Sequence, residues 1–173
     1  MRPCAQYLRN QSGVVAIEFA MVVPVVLVIL FGGYEATRMA RASMRLNDAA
    51  QTLADLVAQQ VSTDTAKTAN FCRGGGIVMS PFTSAGLKAT VASVTRYDSG
   101  VAVDWQDATC GSGSSIAFAE TLADPYLGAV KDSVILVQAV YSYKPVVNMF
   151  LSSVALTRTA YARPRTGKLV AHY

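Results

Sequence analysis

Charge is scarce in this sequence: Asp, Glu, Lys and Arg make up 15% of its 173 residues, against roughly 25% in a soluble globular domain. Histidine is nearly absent. His172 is the single copy, so neither a Ser-His-Asp nor a Cys-His site can be assembled, and no His-based metal set either. The cysteines are Cys4, Cys72 and Cys110; without CxxC spacing they exclude a zinc module and a disulfide-dense miniprotein. Twelve Gly and six Pro exclude a collagen-like or low-complexity chain. No Gly-Lys-Ser/Thr follows Gly74-Gly75-Gly76, so the triplet reads as a flexible loop rather than a phosphate cradle. Asp98, Asp104 and Asp107 lack calcium-loop spacing and read as solvated turn acids. The formal charge of +4, which is 15 minus 11, is spread along the chain and gives a nucleic acid nothing to hold. Neither an enzyme nor a cofactor is expected.

Apolar residues, by contrast, make up 52% of the chain, and their placement is informative. Val14–Tyr34 is a run of 21 residues whose one ionisable interior group is Glu18. About 20 apolar residues at 1.5 Å each cross the roughly 30 Å core of a bilayer. The run is longer than a secretory signal's apolar region and no A-x-A pattern closes it. Glu18 either reaches the headgroup boundary or meets a partner cation, because a carboxylate near the bilayer centre costs about 2.5–3.5 kcal/mol. Pro24 deletes one helical hydrogen bond and is expected to kink or locally unwind the segment. Gly32 and Gly33 form a second soft point.

Beyond the run, Met39, Ala42, Leu46, Ala49, Leu53 and Leu56 follow 3,4 spacing, with Arg41, Arg45, Asp48 and Asp55 on other faces. The spacing predicts an amphipathic continuation over 35–60. A single helix over 14–60 would be about 70 Å long. Its stripe would pack either on the chain's own domain or on another chain.

Residues 61–76 read as a linker ending in FCRGGG, and 77–173 as a small β-rich domain. Strands are expected at Leu87–Tyr97 and Val101–Trp105, joined by a turn at Tyr97-Asp98-Ser99-Gly100. Asp107–Ser115 reads as a loop and Ala117–Leu127 as holding a short helix broken at Asp124-Pro125. Ser133–Tyr143 opens as a continuous apolar stretch and then alternates, the pattern of a central strand buried on both faces for part of its length. After Pro145, Val146–Ser153 is a loop or helical turn, and Val154–Arg163 a last strand. Tyr126, Tyr141, Tyr143 and Tyr161 are expected to pack with their hydroxyls at the rim. The fold class is α+β: a long N-terminal helix, membrane-spanning then amphipathic, followed by a small antiparallel sheet.

Gly13 followed by Val14, Val15, Ala16, Ile17, Glu18 and Phe19 resembles the processing site of type IV prepilins. That resemblance implies a leader at 1–13, cleavage between Gly13 and Val14 by a prepilin peptidase, and retention of the apolar run as the stalk. It also implies that Glu18, then the fifth residue, pairs with a neighbouring subunit's terminal amine. More narrowly, NQSGVVAIEFAMVVPVVLVILFGGYEATR resembles the TadE-like family of pseudopilins of the tight-adherence (Flp) pilus, and ARPRTG at Ala162–Gly167 adds a second, weaker likeness. Major pilins of this class resemble a bare stalk, so the long segment after the helix implies a minor subunit that primes or caps assembly and supports surface adherence. The partners implied are the peptidase, other pilins and pseudopilins, the inner-membrane assembly platform and membrane lipid.

The leader carries Arg2, Arg9 and an amine, and Arg38, Arg41 and Arg45 follow the run, so the positive-inside rule leaves the orientation open. The resemblance implies a cytoplasmic N-terminus and a periplasmic C-terminal domain, with incorporation into an extracellular pilus. In that orientation Cys72 and Cys110 meet an oxidising compartment and form a disulfide, while Cys4 leaves with the leader; the other reading leaves the two unpaired. The competing function is a single-pass anchor carrying an unprocessed periplasmic binding or sensing domain.

Overall fold

The computed structural model describes residues 12–146, 152–167 and 169–173. One helix, α1 (Ser12–Ala58), is 47 residues long. It is followed by β1 (Ser62–Thr63), α2 (Thr65–Val78), a 3-10 turn at Ser84–Gly86, β2 (Leu87–Tyr97) and β3 (Gly100–Cys110). Then come α3 (Ala119–Ala123) with a 3-10 turn at Asp124–Tyr126, β4 (Ser133–Tyr143), β5 (Val154–Ala162) and β6 (Ala171–His172). The main sheet is antiparallel in the order β3-β2-β4-β5, and β1 pairs with β6 in parallel. This is the α+β arrangement anticipated from the sequence, with the β2–β3 turn at Asp98-Ser99 between the paired Tyr97 and Gly100.

The two halves of α1 behave differently because their sequences do. Ala42, Leu46, Ala49, Ala50, Leu53, Ala54 and Val57 are fully buried against one sheet face, formed by Leu87, Ala89, Val91, Ile135, Val137, Ala139, Tyr141 and Tyr143. Small Ala side chains between the Leu residues let the helix lie close to the strands. The amphipathic stripe therefore packs on the chain's own domain, and the core begins within α1. The opposite sheet face buries Ala92, Val94, Val134 and Leu136 under Ile116, Ala119, Ala123 and Leu127. β2 and β4, the two central strands, are buried on both faces for much of their length, β4 as its unbroken SVILV opening requires.

Residues 61–76 are not a linker, and the glycine triplet is not a loop. Asp64 caps α2: its backbone is extended and its carboxylate accepts the Lys67 N–H at 2.7 Å, satisfying an end donor of the helix. Three glycines weaken a helix by about 1 kcal/mol each relative to Ala, and packing outweighs that deficit. A Cβ on Gly75 would stand 3.1 Å from the Leu53 side chain, so the bare Cα lets α2 press on α1. Cys72 is joined to Cys110 with Cα atoms 5.7 Å apart, which ties α2 to the end of β3.

β3 also runs five residues beyond the expected Trp105, through a stretch read as loop. Its continuation depends on Asp107, which is buried in the strand rather than a solvated turn acid. Asp107 accepts the Thr109 N–H at 2.9 Å and the Thr109 hydroxyl, and lies 3.2 Å from His172 Nε2. Burial alone would raise its pKa, but the bonds from Thr109, His172 and Thr68 outweigh burial and hold it below 3.8. A depressed carboxyl contributes stability that is full above its unfolded pKa and is lost as pH falls through the folded one. Denaturant midpoints measured between pH 5 and pH 2 should therefore fall below pH 3.8, and less steeply in Asp107→Asn. Equal slopes in the two proteins would contradict this account.

Asp104, likewise not a free turn acid, accepts hydrogen bonds from Ser93 (3.0 Å), Thr95 (2.6 Å) and Tyr97 (2.6 Å) across the β2–β3 ladder. His172 lies in β6, its ring centroid 4.9 Å from that of Trp105. The Trp105 Nε1–H donates to Val170 O at 2.7 Å, and the Ala171 N–H to Val61 O at 3.2 Å. The ARPRTG stretch closes the far end of α1, where helix carbonyls lack partners. There the Arg165 N–H donates to Ala58 O at 2.8 Å, and the Thr166 hydroxyl to Gln60 O at 3.0 Å.

Candidate functional site

The first half of α1 is the one large apolar surface left uncovered by the rest of the described chain. Val14, Ile17, Phe19, Met21, Ile29 and Leu30 are each more than half exposed. The helix is long and apolar enough to cross a membrane, and its most apolar window buries nothing against the domain. In water such a surface would be penalised at about 25 cal/mol per Å²; lipid or a bundle of like helices removes that penalty.

Each residue expected to act in processing and assembly lies on this exposed half. Gly13 and Val14 are in the first turn, and Glu18 and Phe19 one turn further along, all exposed. A Cβ on Gly13 would meet nothing within 4 Å, so the packing of this fold does not itself demand glycine there. The helix passes through Pro24, Gly32 and Gly33 without interruption; local unwinding at the proline does not occur, although its ring still deprives one carbonyl of a donor. Arg2, Cys4 and Arg9 lie outside the described residues, as does most of Val146–Ser153.

The junction between stalk and domain holds a residue that sequence reasoning missed. Glu35, the residue after the apolar run, is buried, with 1% of its surface exposed. Its Oε1 accepts the Tyr143 hydroxyl at 2.5 Å, and its carboxylate takes the Val146 N–H at 3.2 and 3.3 Å. The end of β4 is thereby held against the first turn beyond the run. A signal existed: counting the buried stripe back from Ala42 and Met39 by 3,4 spacing reaches residue 35, so a carboxylate sat on the face that packs. Arg38 lies nearby, over the Tyr34 ring at 5.9 Å and the Phe82 ring at 5.8 Å.

Tyr143 is buried rather than placed at the rim, and its pKa is pushed up to about 12 by burial and then by the Glu35 hydrogen bond and charge, against a smaller opposing effect of Arg38. A raised phenol contributes stability that is full below its unfolded value of 10.0 and is lost as pH rises towards the folded value. Thermal melts between pH 9 and pH 12 should show this loss, and Tyr143→Phe should reduce its steepness. An unchanged alkaline slope would refute the assignment. Tyr141 is buried as well, while Tyr126 and Tyr161 stack on one another with ring centroids 3.9 Å apart.

Among the described residues no group of three or more His, Cys, Asp or Glu could hold a metal ion. The geometry offers an exposed apolar half-helix with one carboxylate, Glu18, continuous with the half that packs into a small domain. Residues 13–55 match the family model described as TadE-like protein, which bears out the likeness of the stalk segment. No curated protein and no solved structure matches the chain.

Proposed function

Given an N-terminal stretch that is TadE-like and therefore associated with a Tad pilus system, we propose that the chain is a minor pilin-like subunit of that pilus. It is made as an inner-membrane precursor, N-terminus inside and domain in the periplasm. The prepilin peptidase cuts it between Gly13 and Val14, and it enters the pilus or its base through the stalk. There it primes or caps assembly beside other pilins and pseudopilins on the assembly platform. The observation that carries this reading is the division of α1: residues after Glu35 are locked into the domain, while those before it are apolar, exposed and left for an outside partner. A plain tether would be served by the same length of helix, but has no use for Glu18 inside it.

Glu18 pairs with the terminal amine that cleavage creates on a neighbour's Val14. Two opposite charges desolvated together attract far more strongly than in water, and either alone is penalised. The intact mass and N-terminal sequence of protein from membranes, with and without the peptidase, test the route. A start at Val14 only when the peptidase is present supports it; an intact leader in both samples favours the anchored binding or sensing domain. Glu18→Ala should still insert and be cut, yet enter assemblies at least tenfold less, the equivalent of about 1.4 kcal/mol. Incorporation at the normal level would sink the pairing.

A further inference from the structure

Where α1 leaves the apolar run, stalk and sheet enclose a basic cleft with an aromatic wall. Its volume is about 440 Å³, and Arg38, Lys88 and Lys144 line it together with Phe82, Tyr141 and Tyr143. Arg38, Pro81 and Phe82 are shared with an adjoining hollow of about 540 Å³ on the stalk side, where Arg41, Arg45 and Tyr34 contribute. The two hollows thus present five cations against a single lining carboxylate, Asp48. None of the five has an ion pair within 4 Å among the described residues.

The depth of the cleft identifies what reaches it. If Val14–Tyr34 fills the roughly 30 Å hydrocarbon layer, Arg38 stands four residues, or about 6 Å, beyond it. Headgroups occupy roughly 5–7 Å on each side of that layer. The bonds from Tyr143 and Val146 to Glu35 hold Lys144 at the same level. Below the cations, Tyr34, Phe31 and Leu30 present exposed apolar surface that leads down the stalk.

We propose that this cleft binds the headgroup of an anionic phospholipid in the leaflet beneath the domain. Arg38 and Lys144 take the phosphate, Phe82 and Tyr34 flank the glycerol, and the acyl chains lie along the stalk. Arginine suits this task because its planar fork meets two phosphate oxygens at once. A free phosphate carries at least as much negative charge but makes no use of the apolar shelf. An acidic segment of another protein would have to enter at headgroup depth, where lipid phosphate is already concentrated. Lipid held there fixes the rotation of the domain about the stalk while the subunit waits in the membrane.

The inference rests on the membrane-anchored reading of the stalk, and the test separates the two. Full-length protein is first floated with phosphatidylcholine vesicles; failure to float removes the anchoring reading itself. The protein in detergent is then titrated with phosphatidylglycerol, phosphatidylcholine, inorganic phosphate or hexaglutamate, and adducts are counted by native mass spectrometry. Phosphatidylglycerol should be retained at least tenfold better than phosphatidylcholine. Arg38→Gln with Lys144→Gln should abolish that preference without changing the phosphatidylcholine adducts or the melting curve. Lys88→Gln with Lys144→Gln should weaken it as well, while Lys67→Gln with Arg73→Gln, which removes the same charge on α2, should not. Floating protein that shows no preference overturns the site. So does equal binding of inorganic phosphate, which would make it a simple anion site, and so does a preference for hexaglutamate, which would make it a protein contact.

Discussion

Leu53→Asp should leave the protein in the membrane and abolish the cooperative melt of its domain. Leu53 is fully buried at the centre of the helix–sheet core and meets Gly75 of α2. A carboxylate there has no cation to pair with, and an unpaired buried charge costs several kcal/mol on top of the lost packing. Leu→Ala at such a site alone costs about 2–5 kcal/mol, and a domain of this size has only about 5–15 kcal/mol in hand. Insertion depends instead on residues 14–34, which the substitution does not touch. The test is carbonate extraction of membranes alongside limited proteolysis: the variant stays with the membrane, and its domain is digested to the stalk. A protease-resistant domain of normal size would show that the core tolerates the charge and that the helix is not integral to it.

Cys72→Ser combined with Cys110→Ser is the second large effect. The bond joins residues 38 apart, for which the chain-entropy model gives a stabilisation of about 4 kcal/mol. At about 4 °C per kcal/mol for a domain of this size, the melting temperature should fall by roughly 15 °C. The same fall should follow treatment of the native chain with a reductant, and the double variant should no longer respond to it. A melt insensitive to reductant in the native chain would mean that the two sulfurs are not joined in solution. The bond ties down α2, whose glycine-rich sequence is the poorest helix former of the three helices, so hydrogen exchange should rise first in Thr65–Val78.

What could be read from the sequence, and what could not, follows from the range of the forces involved. The stalk, the amphipathic stripe, β2 and β4 were legible because periodic apolar patterns are local and strong. The β2–β3 turn was legible because Gly100 stands at a backbone φ of +128° that few residues other than glycine adopt. α2 was not, because its glycines announce a break while its packing on Leu53 and its bond to Cys110 act through distant residues. The far part of β3 was hidden for a related reason: Asp107 looks solvated until Thr68 and His172, remote in sequence, are brought to it. Gly13, Val14, Glu18 and Phe19, to which the proposal gives processing and assembly, were visible as a motif. Glu35 was not, since its partner Tyr143 lies 108 residues away and its neighbours Gly33 and Tyr34 look like the plain end of an apolar run.

The same long reach has a temporal side. The buried half of α1 closes its core with β4 and β5, strands made about a hundred residues later, and Gln51 donates to Tyr161 O across 110 positions. In the proposed orientation the helix would leave the membrane with its Ala and Leu stripe bare, and would wait in that state until β5 had crossed behind it. Contacts this distant in sequence form slowly, and loop closure precedes any reward. During that interval the stripe offers neighbouring nascent chains the same surface it later gives to the sheet. In that orientation export rate and local crowding, and not only the stability of the finished domain, would set how much of the protein reaches its folded form.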